Sequence, residues 1–450
     1  MPAQDAIAAC ATPWGMGALA IVRISGFDSL KKLSPLFRSG GGGLTAAPGH
    51  SLKLGEIIDP AGEEVIDEVL VGVYHAPRSY TGEDGAEIIC HGSPAIVRKL
   101  LDLLGRSGFR PAGPGEFTMR AFLNGKMDLT QAEAVNEIVR ARTDRARAVA
   151  LNRLGGSIEA RINSIKQGLL ALSAALEVGM DYPEDEIDAP PPSPGEAKRL
   201  QAELEQLLST YSIGKILQEG VTVVLAGGTN AGKSTLFNTL LREDRAIVSE
   251  LHGTTRDYLE GVVSLEGVPI KLYDTAGYRY GGESIEQEGI RRTDRIVDNA
   301  QLILYLTDAT RGLTDLDKAF LDSLTTRERL ICIWNKCDLS DRPAPPGFLA
   351  LSAAGGQGIP ALLEEIARRA LEHAPLDSEA PIIDSLRQKQ LLERSLSALK
   401  DFRAGLAGDL SADVLAVDLK EALDALAEIT GEITSQDILD TIFSSFCVGK

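Results

Sequence analysis

The stretch that most constrains this 450-residue chain is Gly227-Gly228-Thr229-Asn230-Ala231-Gly232-Lys233-Ser234. An apolar run, Val221 to Ala226, precedes it, and Thr235 to Leu241 has the pattern of a helix opening. A strand, then Gly-x4-Gly-Lys-Ser, then a helix is the setting that a phosphate-binding loop requires. Glycines let the backbone turn its N–H groups inward, and those donors act together with the helix N-terminus on phosphate oxygens. Lys233 is expected to reach the β- and γ-phosphates, and Ser234 to ligate Mg2+. The bland alternative is a glycine-rich turn with the same letters and no ligand; the pattern on both sides argues against it.

Three later stretches extend the reading. Leu272-Tyr273-Asp274-Thr275-Ala276-Gly277 is an apolar strand ending in Asp-x-x-Gly. There Asp274 can hold Mg2+ through water and the Gly277 N–H can meet the γ-phosphate. Leu302 to Leu306 has the composition of a buried parallel strand. Leu330 to Trp334 then runs into Asn335-Lys336-Cys337-Asp338. Asn-Lys-x-Asp is a guanine reader, because a carboxylate accepts from the guanine N1–H and exocyclic amine, where adenine offers the wrong groups. Leu351-Ser352-Ala353-Ala354 looks like the last loop on the guanine side. Four elements in this order point to GTP rather than ATP.

A net charge of −18 argues against a nonspecific nucleic-acid binder, though not against a structured RNA held at a local basic patch. No apolar stretch is long enough to span a membrane, and no basic-then-apolar leader opens the chain, so a cytoplasmic protein is expected. Cys10, Cys90, Cys332, Cys337 and Cys447 are scattered, odd in number and without a C-x-x-C pair, which fits a reducing compartment and gives no zinc site.

The length suggests two or three domains. Up to about Phe117 short strands alternate with helices: Ala18–Ile24 reads as a strand, Phe27–Phe37 as a helix, Glu63–Tyr74 and Ala86–Gly92 as further strands. From Arg120 to Tyr211 the spacing is helical, broken near Asp181–Glu186 and at Pro190-Pro191-Pro192-Ser193-Pro194. Helical spacing returns over Ile382–Ala407 and Val414–Ile429. These last helices are too few for a core of their own. The favoured reading packs them on the earlier helices, with the nucleotide domain inserted between; a separate C-terminal helical domain is the alternative.

Ser249-Glu250-Leu251-His252-Gly253-Thr254-Thr255 belongs to the expected mobile switch, with Thr255 as second Mg2+ ligand. In Ras-like proteins a glutamine after Asp-x-x-Gly orients the attacking water; here Tyr278 stands there. Glu283, Glu286 and Glu288 are candidates for that work, against the ordinary reading of a solvated acidic surface. No arginine announces itself as a finger. The Asn230 carboxamide can bind a monovalent cation beside the phosphates, or serve only turn chemistry. The tail Ile442-Phe443-Ser444-Ser445-Phe446-Cys447-Val448-Gly449-Lys450 is expected to fray by default. Phe443 and Phe446 give it a means of docking, in which case Cys447 is either a nucleophile or acid/base, or an inert thiol.

With these stretches in view, the chain resembles, from end to end, the MnmE (TrmE) family of tRNA-modifying GTPases. The likeness is carried by Ala11-Thr12-Pro13, Arg23-Ile24-Ser25-Gly26, Tyr80-Thr81-Gly82-Glu83-Asp84, His91-Gly92, Pro114-Gly115-Glu116-Phe117, Arg120 to Lys126, Asp128 to Ala134, Asn230 to Ser234, Gly253 to Asp257 and Cys447-Val448-Gly449-Lys450. It implies a multidomain α/β plus α fold. An N-terminal α/β tetrahydrofolate-binding and dimerisation domain covers 1–118, an all-α helical domain covers 119–218 and 374–450, and an inserted P-loop α/β G domain covers 219–373. It further implies a homodimer working with the FAD protein MnmG (GidA), as a heterotetramer, to place an aminomethyl or carboxymethylaminomethyl group on C5 of the wobble uridine of certain tRNAs. GTP would contact Asn230, Ala231, Gly232, Lys233, Ser234 and Thr235, Ser249 to Thr255, Asp274, Thr275, Ala276, Gly277, Asn335, Lys336, Asp338, Ser352 and Ala353. Arg23, Glu87, Lys126 and Lys450 would contact 5-formyl- or 5,10-methylene-tetrahydrofolate. Ser234 and Thr255 would hold Mg2+. Asn230, Ser249, Leu251 and Thr254 would hold K+, which replaces the arginine finger and promotes G-domain pairing. Glu286 would orient water, and Cys447 would be catalytic. Thr229 stands where many relatives have proline. The rival reading is a regulatory GTPase of the ribosome-assembly kind, which accounts for the G domain alone.

Overall fold

The computed structural model describes the chain except residues 1–4, 41, 182–191, 243–245, 248–258, 275–299, 324–326, 372–379 and 409. The described residues form two compact units. One comprises 1–139, 153–201 and 391–450; the other comprises 140–152 and 202–390.

The first unit holds a seven-stranded sheet: β1 Ala6–Cys10, β2 Leu19–Ser25, β3 Phe37–Arg38, β4 Ser51–Asp59, β5 Glu64–Tyr74, β6 Gly85–His91 and β7 Phe109–Pro111. Their order is β3-β4-β5-β6-β2-β1-β7. Only the β1–β7 pair is parallel; the other neighbours run antiparallel. Period-two alternation sends Val69, Val71 and Val73 of β5 into the core and leaves Leu70 outside. The helix Pro94–Arg106 buries Val97, Leu100, Leu103 and Leu104, a 3.6-residue stripe. The helix expected over Phe27–Phe37 is shorter. It covers Ser29–Leu33, and Ser34–Leu36 tightens to a 3-10 turn with Pro35 inside it. Proline disfavours helix at the residue before it and removes a donor, so Phe37 is delivered to β3 instead. In the same unit the long helices Ser157–Asp181 and Ala412–Thr430 pack together. The helix Gln436–Ser444 lies against Glu116–Leu123.

The second unit is built on β8 Val221–Gly227, β9 Ala246–Ile247, β10 Leu259–Leu265, β11 Val268–Asp274, β12 Leu302–Asp308, β13 Leu330–Asn335 and β14 Phe348–Leu351. The order is β14-β13-β12-β8-β11-β10-β9, parallel from β14 to β11, with β10 and β9 antiparallel at one edge. Every residue of β12 is buried, as a central parallel strand covered on both faces requires. Register places Gly227 opposite Leu306, Asp274 opposite Leu225, and Asn335 between Asp308 and Leu351. The chain departs from β8 toward β11 on one side and resumes at β12 on the other. Open α/β sheets bind ligands at the carboxyl ends of their strands at such a reversal.

Candidate functional site

The carboxyl ends of β8, β11, β12 and β13 bring together most of the described nucleotide residues predicted from sequence. The helix Lys233–Arg242 starts directly from the glycine loop. Lys233 is 8% exposed, and its ammonium donates to the main-chain oxygens of Gly227 and Gly228, each at 2.8 Å. Burial pulls this amine below its usual range, and the Asp274 charge opposes that pull. Its hydrogen-bond partners among the described residues are neutral carbonyls, which an ammonium can exchange for phosphate oxygens that offer charge-assisted bonds. Ser234 Oγ donates to Asp274 Oδ2 at 2.7 Å, so the two groups expected around Mg2+ already converge. A hydroxyl and a carboxylate are the oxygen ligands that such a hard cation takes.

Asn335 does more than its motif suggests. It is 1% exposed; its Nδ2 donates to the Ala231 main-chain oxygen at 2.7 Å, and its Oδ1 accepts from the Ala353 N–H at 3.0 Å. It therefore clamps the phosphate loop to the Ser352–Ala353 loop. The clamp requires glycine at 232, where φ is +97° and a Cβ would stand 2.2 Å from Asn335 Nδ2. Thr239 Oγ1, donating to the Ala353 carbonyl at 2.8 Å, adds a second tie. Lys336 has φ +65° and its ammonium meets Asp308 Oδ2 at 2.6 Å. Asp338 is exposed in the 3-10 turn that follows, which leaves its carboxylate accessible to a base. Thr235 follows Ser234 in the first turn of the helix. Asp308 and Thr239 were not picked out from the sequence. Asp308 had a signal, an acid ending an apolar strand beside Asn-Lys-x-Asp; Thr239 had none.

Asn230 adopts a left-handed backbone, φ +65°, and is exposed. Asparagine tolerates that conformation, so turn chemistry accounts for the residue and still leaves the carboxamide accessible to a cation. Ser249, Glu250, Leu251, His252, Gly253, Thr254, Thr255, Thr275, Ala276, Gly277, Tyr278, Glu283, Glu286 and Glu288 lie outside the described residues.

The first unit carries a separate cavity of about 260 Å3, lined by Arg23, Ser25, Tyr74, Tyr80, Thr81, Glu87 and Phe117 among others. Arg23 and Glu87 face each other across β2 and β6. Arg23 Nη2 and Nε donate to Glu87 Oε1 at 2.7 and 3.0 Å, and Tyr74 Oη donates to Glu87 Oε2 at 3.3 Å. The guanidinium lies 5.6 Å from the Tyr80 ring centre and 5.7 Å from that of Phe117. Two aromatic walls, a guanidinium and a carboxylate suit a flat heterocycle with donors on its edge. Lys126 is not among the lining residues; its ammonium donates to the Pro77 carbonyl at 2.9 Å.

The tail does not fray. Phe443 and Phe446 are buried beside Leu129 and Leu439. Val448 bridges to Pro114, Gly115 N–H donates to the Cys447 carbonyl, and Phe117 N–H donates to a Lys450 main-chain oxygen at 3.1 Å. Arg23 Nη1 donates to the Gly449 carbonyl at 3.1 Å. Apolar anchoring of the two phenylalanines explains why the default for termini fails here. Burial, and after it the charge of Arg23, pulls the Lys450 amine down, while Cys447 acts the other way. Cys447 is exposed, and with Lys450, Cys10 and Trp14 it lines a second, largely apolar cavity of about 620 Å3.

The family model "GTP-binding protein TrmE N-terminus" matches residues 6–126, and "MnmE helical domain" matches residues 129–447. Curated relatives named "tRNA modification GTPase MnmE" include one from Geotalea uraniireducens (strain Rf4), 41% identical over 100% of both chains. Another, from Syntrophus aciditrophicus (strain SB), is 43% identical over 99% of this chain and 100% of the relative. Among solved structures, Aquifex aeolicus Era bound to GDP.AlF4- aligns over 39% of this chain and 66% of that one, at 24% identity and a TM-score of 0.27.

Proposed function

The chain belongs to the tRNA modification GTPase MnmE family, and from that premise we propose that it hydrolyses GTP in the course of modifying tRNA. The finer reading is addition of an aminomethyl or carboxymethylaminomethyl group to C5 of the wobble uridine, with a reduced folate as one-carbon donor. The FAD protein MnmG would be the partner in a heterotetramer. The observation that carries this reading is the presence of two built sites in one chain. One is the clamped phosphate loop; the other is the Arg23–Glu87 cavity with the Gly449 carbonyl on its arginine. A regulatory GTPase needs only the first. No described helix is long and apolar enough to cross a membrane.

In the G domain, Lys233 would trade its two carbonyls for β- and γ-phosphate oxygens, and Ser234 would turn from Asp274 toward Mg2+ together with Thr255. Ser234 and Thr255 would hold a Mg2+ that supplies charge neutralisation at the phosphates, and Asn230, Ser249, Leu251 and Thr254 would hold a K+ that supplies the positive charge an arginine finger gives elsewhere. Glu286 would orient the attacking water in place of the missing glutamine. Asp338 would accept from guanine. At the cavity, Arg23 and Glu87 would meet the pterin, with Lys126 and Lys450 farther along the folate, and Cys447 would take part in the one-carbon chemistry.

A homodimer is supported by β4 and β5, where Leu52, Leu54 and Leu70 are more than a third exposed and Leu54 pairs directly with Leu70. Adjacent exposed leucines on one sheet are unusual for a monomer; sedimentation as a single copy would contradict the dimer. Exchanging potassium for sodium at constant ionic strength should slow GTP turnover at least about tenfold, a loss of about 1.4 kcal/mol in barrier lowering. Equal rates in the two salts would remove the cation from the account. Nucleoside analysis of tRNA from cells lacking the protein tests the whole: the C5-modified wobble uridine should vanish, and its persistence at normal levels would overturn the reading.

A further inference from the structure

Beside the Arg23 cavity runs a hydrogen-bond chain with a fixed direction. Arg120, 2% exposed, donates from Nη1 to Glu83 Oε1 and Oε2 at 3.3 and 3.4 Å. It is pinned on its other side by the Asp5 main-chain oxygen, Asp5 Oδ1 and Glu116 Oε1, at 2.9, 2.6 and 2.9 Å. Glu83 Oε2 accepts the Ser25 hydroxyl at 2.7 Å. Ser25 Oγ lies 2.7 Å from Thr81 Oγ1, and both residues are almost fully buried and line the cavity.

Counting protons sets the polarity. A serine hydroxyl has one hydrogen, and that of Ser25 goes to the carboxylate. The hydrogen between Ser25 and Thr81 is therefore donated by Thr81. Thr81 Oγ1 also accepts the Glu83 main-chain N–H at 3.2 Å. It is left with one lone pair and no hydrogen for a ligand. Glu87, which also lines the cavity, accepts from Arg23 and Tyr74 and so presents acceptors as well.

We propose that Glu83, held by Arg120, is a positioning residue that fixes the proton direction through Ser25, so that Thr81 shows the cavity a lone pair and the site selects a ring ligand presenting an N–H donor there. The 2-amino edge of a reduced pterin is such a donor. A buried acceptor left unpaired is penalised far more than a missing contact, so the preference belongs to the pocket and not to overall affinity. The inference rests on the reduced-folate reading of the cavity.

The test is calorimetric titration of the full chain with (6S)-5-formyltetrahydrofolate and with its 2-desamino-2-methyl analogue. The native chain should prefer the amino compound by about tenfold or more. In Glu83→Gln the amide can donate to Ser25, the Ser25 hydrogen passes to Thr81, and the Thr81 hydrogen turns to the cavity; the preference should fall to within about twofold. Thr81→Val, which removes the acceptor and the bond from the Glu83 main-chain N–H but leaves the Glu83 carboxylate with Arg120 and Ser25, should do the same. Equal binding of the two compounds by the native chain, or an undiminished preference in both variants, overturns the role of Glu83 and Thr81 while the folate reading stands. Binding of neither compound by the native chain overturns the folate reading itself.

Discussion

Replacing Asn335 with aspartate should cost this protein at least about a hundredfold in affinity for GTP and GDP. The change is nearly isosteric and retains the oxygen that accepts the Ala353 N–H. It replaces the amide donor with a carboxylate oxygen 2.7 Å from the Ala231 carbonyl, at a site 1% exposed. Two acceptors cannot share that separation without a proton between them, and no water can rescue a pair so deeply buried. Leaving a buried polar group unmatched costs about 1–3 kcal/mol, more when it is charged. The loop relieves the conflict by moving away, which would disperse the N–H groups of Gly232 and its neighbours expected to hold phosphate. A hundredfold is about 2.7 kcal/mol, within that range. Titration with a fluorescent GDP analogue measures it. Because the loss arises in the loop, inosine diphosphate should suffer by the same factor as GDP. Binding within threefold of the native chain would show that the clamp is dispensable.

The second large effect is expected from Gly449→Ala. Its φ of +95° disfavours any side chain, and a Cβ would stand 2.5 Å from the Cys10 carbonyl and 2.9 Å from Ala11 Cα. Cys10 ends a strand paired to β2, so the backbone there cannot yield cheaply. The tail must lift, and Arg23 then loses the Gly449 carbonyl and Phe117 N–H loses Lys450. Binding of 5-formyltetrahydrofolate should weaken at least about tenfold, about 1.4 kcal/mol, while circular dichroism and the melting point report whether the fold is intact. Unchanged folate affinity would mean that the tail is a bystander to the cavity.

What could be read in advance follows from how local each signal is. The phosphate loop and Asn-Lys-x-Asp are contiguous, and their strands are apolar runs bounded by glycine or acid, so β8, β12 and β13 and the positions of Lys233, Ser234, Asp274 and Asn335 were legible. The Asn335 clamp was not, because it joins Ala231 and Ala353, which come together only when the parallel strands stack in order. In the first unit β4 is not legible: its leucines Leu52 and Leu54 are exposed, while Ser51, Lys53 and Gly55 share the face of the buried Ile57, so the alternation does not mark the core side. The spacing over Phe27–Phe37 is helical, but Pro35 confines the helix to Ser29–Leu33. Resemblance supplied Arg23 and Glu87, whereas the Ser25–Thr81–Glu83–Arg120 chain is spread over three segments that meet only once β2, the turn before β6 and the helix Glu116–Leu123 have packed. The docked tail was the least predictable, since aromatic anchors at Phe443 and Phe446 reveal nothing of their receptor until Leu129 is placed beside them.

The bond from Arg23 to the Gly449 carbonyl joins residues 426 positions apart. Arg23 is thus synthesised 426 residues before this partner, and residues 140–152 and 202–390, the nucleotide-binding unit, are made in between. A pocket begun on β2 closes only after that unit has left the ribosome. A product cut between Gln390 and Gly449 would keep the nucleotide-binding residues and lack the carbonyl that holds Arg23.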